Sequence, residues 1–193
     1  LRDGKPARTV KIADNDRAIF RQLNLLTAKP VLYACNVEEG NAADGNAHSE
    51  AVAAMAAAEG AGTVIVSAAI EAEVAQLGDA EEKREYLETL GLSEAGLDRV
   101  ILAGYSLLDL ITFFPSGPKE SRAWTVAAGT AAAPAAGKIH TDFERGFIAA
   151  ETISYADYIE CNGEQGAKDT GKMRLEGRDY TVQDADVILF RFN

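Results

Sequence analysis

Asn36 and Glu39 follow one short apolar run, and Ser67-Ala68-Ala69 follows another. In open parallel sheets, ligands bind beyond the carboxyl ends of such runs. A carboxamide carries one acceptor and two donors on adjacent atoms, so Asn36 can pair with the N6-amine and N7 edge of adenine together. Backbone N–H groups of a turn at 67–69 would add donors to a base. Asn and Ser also favour turns through local hydrogen bonds, and from spacing alone a plain loop is the more ordinary reading of the same residues. His48 and His140 are the two histidines. No third ligand with metal-site spacing accompanies them, and no zinc site is expected. His140 stands near Asp142, Glu144 and Arg145, but Thr141 and Glu144 have the spacing of a capping box, which makes this a polar network rather than a catalytic group. Cys35 and Cys161 lie far apart without a nearby base and read as small core residues. Arg122, Trp124, Lys138 and Arg145 could form a small cationic–aromatic contact with RNA, although Trp124 sits in a period-two run and reads as core.

The 193 residues carry a formal charge of −11, split as −7 over 1–104 and −4 over 105–193. That balance excludes strong nonspecific nucleic-acid or anionic-membrane binding, because the cationic excess that displaces phosphate counterions is absent. No apolar run reaches the ~18 residues of a transmembrane helix. Two separated cysteines match a reducing compartment, and a cytoplasmic location is expected. The opening Leu1-Arg2-Asp3-Gly4 lacks an initiator Met, so the chain is read as a fragment.

The elements that must position these residues follow from periodicity and punctuation. Asp14-Asn15-Asp16 predicts a helix start, with Ile19, Phe20, Leu23, Leu25 and Leu26 on one face and Lys29-Pro30 as its stop. Val31–Cys35 is apolar without alternation, as in a strand buried on both faces. Ser49 is the expected cap of an alanine-rich helix over Glu50–Glu59, stopped by Gly60, and Thr63–Val66 is a second buried strand, completing a βαβ unit. Helices are expected at Glu81–Leu90 and Glu94–Ile111, the second with Leu97, Ile101, Leu102 and Leu108 inward. Beyond Thr112 the texture turns to strands and turns: a turn at Pro115–Pro118, strands at Arg122–Val126, Ala149–Ile153, Met173–Glu176, Tyr180–Gln183 and Val187–Phe192, and a short helix capped by Thr130. A domain boundary is expected near 105–112.

The stretch Leu25-Leu26-Thr27-Ala28-Lys29-Pro30-Val31-Leu32-Tyr33, with Asn36-Val37-Glu38-Glu39, resembles the YchF family of Obg-related P-loop NTPases. Ile139-His140-Thr141-Asp142-Phe143-Glu144-Arg145-Gly146-Phe147 and the run from Gly171 to Asn193 resemble that family's C-terminal TGS domain. The resemblance implies an α/β chain: the C-terminal half of a P-loop NTPase domain, a parallel sheet with flanking helices, followed by a β-grasp, ubiquitin-like TGS domain. Residues 1–8 would be the exit of a helical insertion, 9–87 the half nucleotide domain, 88–108 a connecting helix and 109–193 the TGS domain. Asn36, Val37 and Glu39 would belong to the Asn-x-x-Glu base-reading motif, with Ser67, Ala68 and Ala69 as the turn across the base. Arg122, Lys138 and Arg145 are the expected TGS interaction surface.

The resemblance further implies ATP, or less well GTP, with Mg²⁺ in the intact parent, and a ribosome or translation-linked partner through the TGS domain. Guanine readers use an Asp that accepts from N1–H and the exocyclic amine. Adenine has no N1–H, Glu39 is one methylene longer, and a lost hydrogen-bond match outweighs a methylene contact in discrimination. No Gly-x-x-x-x-Gly-Lys-[Ser/Thr] string occurs here, and phosphoryl transfer depends on such positioning groups. The chain alone is therefore expected to be inactive, to bind no nucleotide tightly and to hold no catalytic residue. The alternative is a non-catalytic TGS module contacting RNA or a translation-linked protein; a guanine-reading remnant is the third. Two departures from the family stand out. Thr130–Gly137 is unusually alanine-rich, and Ala185 replaces a usual glycine, which predicts a turn without a positive backbone angle.

Overall fold

Asp14–Asp16 forms one 3-10 turn and passes into α1 (Arg17–Gln22) in the computed structural model, which describes residues 4–116 and 122–193. The chain divides into two units, Leu1–Leu108 and Asp109–Asn193. The expected long apolar face does not form in the first. α1 stops at Gln22 because Asn24 takes a left-handed backbone, φ 48°, which Asn tolerates better than most residues. Ile19, Leu23 and Leu26 are all exposed.

β1 (Leu32–Asn36) pairs in parallel with β2 (Gly62–Val66), in the register Leu32 to Gly62 through Asn36 to Val66. Between them lies α2 (Ala47–Glu59), closed by Gly60 at φ 68°. Its cap is Asn46, not Ser49. The Asn46 Oδ1 accepts from the His48 and Ser49 N–H groups, and the buried Ser49 hydroxyl accepts from the Asn46 N–H at 2.8 Å. Serine therefore occupies the third position of a capping box, the place usually taken by Glu or Gln.

α3 (Ala68–Val74), α4 (Ala80–Thr89) and α5 (Gly96–Leu107) complete this unit. Ile70, Val74, Leu87, Leu92 and Ala42 form one core cluster, while α2 and α5 pack against the strand pair. α5 is shorter than expected, because Leu108 and Asp109 turn into the next strand. Leu97, Ile101, Leu102 and Leu108 are exposed rather than inward. Periodicity locates an apolar face; it does not supply the element that covers it. Cys35 and Cys161 are only half-buried, which corrects their reading as core.

The second unit is a mixed sheet over a helix. Its strands are β3 (Leu110–Pro115), β4 (Trp124–Ala127), β5 (Phe147–Ser154), β6 (Arg174–Glu176) and β7 (Asp186–Phe192), ordered β4-β3-β7-β5-β6. β3 and β7 are parallel; the other pairs are antiparallel. α6 (Ala132–Ile139) lies close against the sheet: Ala132, Ala133, Ala135 and Ala136 are buried, and Ala132, Ala135 and Ala136 share one core cluster with Phe113, Val126, Ile188 and Phe190. The alanine-rich stretch is thus a close-packing device. Trp124 packs at the edge of the same core.

α7 (Thr141–Arg145), α8 (Tyr155–Glu160) and α9 (Glu164–Asp169) are short. His140 caps α7 by accepting the Asp142 N–H on Nδ1 at 3.2 Å, so the expected Thr141–Glu144 box is replaced by an imidazole cap. Thr130 caps nothing: its hydroxyl donates to the Ala127 carbonyl, and Ala131 precedes α6. Tyr180–Gln183 is no strand, and only the Ala131–Thr181 bridge survives there. Ala185 has φ 62°, which overturns the expectation drawn from its departure. Its N–H donates to the Thr112 carbonyl at 2.7 Å while Asp184 Oδ1 accepts from the Thr112 N–H, and these two bonds hold the strained turn. Of the expected turn at 115–118, Gly117 and Pro118 lie outside the described residues, as do the first three residues of segment 1–8.

Candidate functional site

The β1–β2 register brings Asn36 level with Val66, so both strands end together and the residues beyond them leave from one edge. The Val37 N–H extends the ladder to the Val66 carbonyl at 2.9 Å. One step further, Asn36 Oδ1 accepts from the Ala68 N–H at 2.9 Å. An acceptor anchored in this way leaves the amide's two donors pointing elsewhere, and Asn36 is exposed. Asn36, Ala68 and Ala69 therefore form one accessible rim. The Ala68 N–H is occupied by Asn36 and is not itself spare for a ligand.

Ser67 and Val37 are different. Both are buried, Ser67 to 1% exposure, and the Ser67 Oγ has no hydrogen-bond partner among the described residues. Val37 anchors the loop from below. Glu39 is exposed at the start of the 3-10 turn Glu39–Asn41. The Tyr86 hydroxyl donates to Glu73, and that bond, slight burial and the charges of Glu73 and Glu39 push its pKa up to about 12. Glu39 thus belongs to an acidic neighbourhood. It repels a phosphate and tolerates a base whose exocyclic amine donates.

Sequence reasoning missed the carboxylate that holds α3 in place. Glu71, in the first turn of α3, accepts the Gly96 N–H at 2.6 Å and the Leu97 N–H at 3.1 Å, capping α5 from another helix. No local spacing announces a cap whose partners lie 25 and 26 residues away.

The three cations of the second unit are spread. Arg122 stacks on Trp124 at 5.5 Å beside β4; Lys138 lies on α6 and Arg145 ends α7, both exposed. No hydrogen bond or ion pair links them among the described residues, and none of His, Cys, Asp and Glu cluster there as a metal site.

The fold is that of an α/β chain with a parallel strand pair in one unit and a mixed sheet in the other. A family model described as YchF-GTPase_C, protein of unknown function (DUF933), matches residues 110–193. The ribosome-binding ATPase YchF of Bacillus subtilis is 51% identical over 191 residues, 98% of this chain and 52% of that protein. The Haemophilus influenzae protein of the same name is 53% identical over 186 residues, 96% of this chain and 51% of its own. The solved structure of the Schizosaccharomyces pombe YchF GTPase superposes with a TM-score of 0.83 at 30% identity, covering 99% of this chain and 51% of that one. The chain belongs to the YchF family, and it spans about half the length of the curated relatives it matches.

Proposed function

We propose that this chain is the base-reading part of a YchF-type nucleotide hydrolase, joined to a TGS interaction domain. In this reading residues 9–87 are the C-terminal half of the P-loop domain, 1–8 the exit of a helical insertion, 88–108 a connecting helix and 109–193 a β-grasp TGS domain. The observation that carries it is the anchored Asn36 carboxamide, whose acceptor is tied to the Ala68 N–H while its donors stay free for the N7 edge of a purine. Adenine is preferred over guanine in this reading because Glu39, one methylene longer than the Asp of guanine readers, does not match the guanine N1–H and exocyclic amine.

The triphosphate and Mg²⁺ contacts lie outside these residues in this scheme, so the parent protein hydrolyses ATP and this chain alone does not. Relatives named ribosome-binding ATPases support a cytoplasmic protein that meets the ribosome, with Arg122, Lys138 and Arg145 of the TGS domain in the contact. A purely non-catalytic interaction module is the second reading, favoured by the lack of a Walker-A string in the 193 residues.

The test is adenosine, ATP and GTP titrated into the chain, followed by amide NMR and phosphate release. Adenosine and ATP should shift the Asn36, Ala68 and Ala69 resonances weakly, with GTP shifting them less and no phosphate released. Shifts confined to other residues, or magnesium-dependent phosphate release, would refute the proposal.

A further inference from the structure

The first unit holds a cavity of about 470 Å³ that shares no residue with the Asn36 rim. Four cations line it, Arg8, Arg17, Arg21 and Lys29, beside apolar groups that include Ile12 and Phe20. No carboxylate is among its lining residues. In a chain of charge −11, that concentration of one sign is a local reversal.

Two of the cations are compensated from outside the lining. Arg17 pairs with Asp14 at 2.9 Å, and the Arg8 Nη2 pairs with Glu59 at 2.8 Å. The Arg8 Nε, however, is buried without a hydrogen-bond partner. Arg21 and Lys29 have no carboxylate partner among the described residues. Arg21 and Lys29 therefore leave about two uncompensated positive charges in a lining that also carries apolar side chains. Asn24, left-handed at φ 48°, turns the chain between Arg21 and Lys29 so that both reach the same cavity. The volume suits a small molecule rather than a single ion.

We infer that this cavity binds a small organic anion, an oxyanion head on an apolar body, at a site separate from the purine rim. The head, phosphate or carboxylate, meets the Arg8 and Arg21 guanidinium groups and the Lys29 ammonium, each a charge-assisted donor. The body lies against Ile12 and Phe20.

The experiment is calorimetric or NMR titration of the intact chain with phenyl phosphate, benzoate, inorganic phosphate and benzyl alcohol. Saturable binding of phenyl phosphate or benzoate is expected, tighter than inorganic phosphate or benzyl alcohol alone, and the stronger of the two identifies the head. Arg21→Glu should weaken binding at least about tenfold, the size of one lost charged hydrogen bond, and Lys29→Met should weaken it by less. Arg84→Glu, the same charge change on the exposed face of α4, should leave the affinity unaltered. Far-UV circular dichroism of each variant, matching the parent, assigns any loss to the site. Four results would overturn the inference: no saturation with either anion, equal binding of benzyl alcohol, no effect of Arg21→Glu in a folded variant, or an equal effect of Arg84→Glu.

Discussion

Glu71 and Gly96 provide a test in which the sign of a mutation depends on its background. Glu71 accepts the first two N–H groups of α5, Gly96 at 2.6 Å and Leu97 at 3.1 Å. Losing a cap of this kind costs about 1–2 kcal/mol, and a carboxylate at a helix N-terminus accounts for about 0.3–1 kcal/mol of it. A Cβ at residue 96 would lie 2.8 Å from the Glu71 Oε1 and 3.3 Å from its Cδ, but an ordinary 3.5 Å from the Val66 Cβ. Gly96 has no positive φ, so alanine suits its backbone and gains about 0.5–1 kcal/mol over glycine. With Glu71 present, the new methyl displaces the carboxylate, and Gly96→Ala should be neutral or destabilising by up to about 1 kcal/mol. In the Glu71→Ala background the obstacle is gone, and the same change should stabilise by about 0.5–1 kcal/mol. The coupling of about 1 kcal/mol is read from a double-mutant cycle. Trp124, the chain's one tryptophan, sits in the second unit. Fluorescence therefore misses this change, and hydrogen exchange of the α5 amides is the assay. Equal effects of Gly96→Ala in both backgrounds would refute the cap.

Ala185→Gly should raise the urea midpoint of the Trp124 transition. Relief of a left-handed φ is worth about 1–2 kcal/mol, against about 0.5–1 kcal/mol of glycine entropy; a lower midpoint would contradict the strain. Tyr180 is pushed up to about 12 by burial, then by its hydrogen bond to Asp186 and that group's charge. Its stabilising contribution is therefore complete below pH 10 and lost as pH rises through about 12, and Tyr180→Phe should flatten stability over that window in alkaline unfolding curves. Asn36→Asp keeps the acceptor and loses the amide donors. Ala68 amide protection should survive while adenosine binding is lost, whereas Asn36→Ala should lose both, and exchange rates with titration separate the two variants.

What could be read in the residues and what could not divides along a physical line. The unalternating runs Val31–Cys35 and Thr63–Val66 specify strands, and the structure places them within one residue at each end. Punctuation was less legible. Ser49, Thr130 and Thr141 were expected caps, yet Asn46, Ala131 and His140 hold those positions. Ser and Thr signal that a helix begins nearby; which residue caps it depends on where the incoming chain arrives. Ala185 misled because a small β-carbon can be forced left-handed when neighbouring bonds fix the turn. The apolar faces of α1 and α5 were visible as patterns but not as interiors, since burial depends on a second surface.

The candidate rim shows why so little of a site is local. Asn36 meets Ala68 only because β1 and β2 pair with Asn36 opposite Val66. A slip of one residue would move the carboxamide to the other face of the sheet and bury what is now exposed. The register is held by Val64, buried in β2, by the Val37 N–H bonded to the Val66 carbonyl, and by Gly45, where a Cβ would fall 2.4 Å from the Ser49 hydroxyl and 2.8 Å from Ile65 Cδ1. Val64 and Gly45 are not part of the exposed rim, and Val37 is buried beside it. The chemistry of position 36 is that of any asparagine; its direction comes from apolar residues and one glycine on other elements. Under the proposed reading, replacing those residues should weaken adenosine binding as replacing the amide does, and the titration that tests Asn36→Asp checks it.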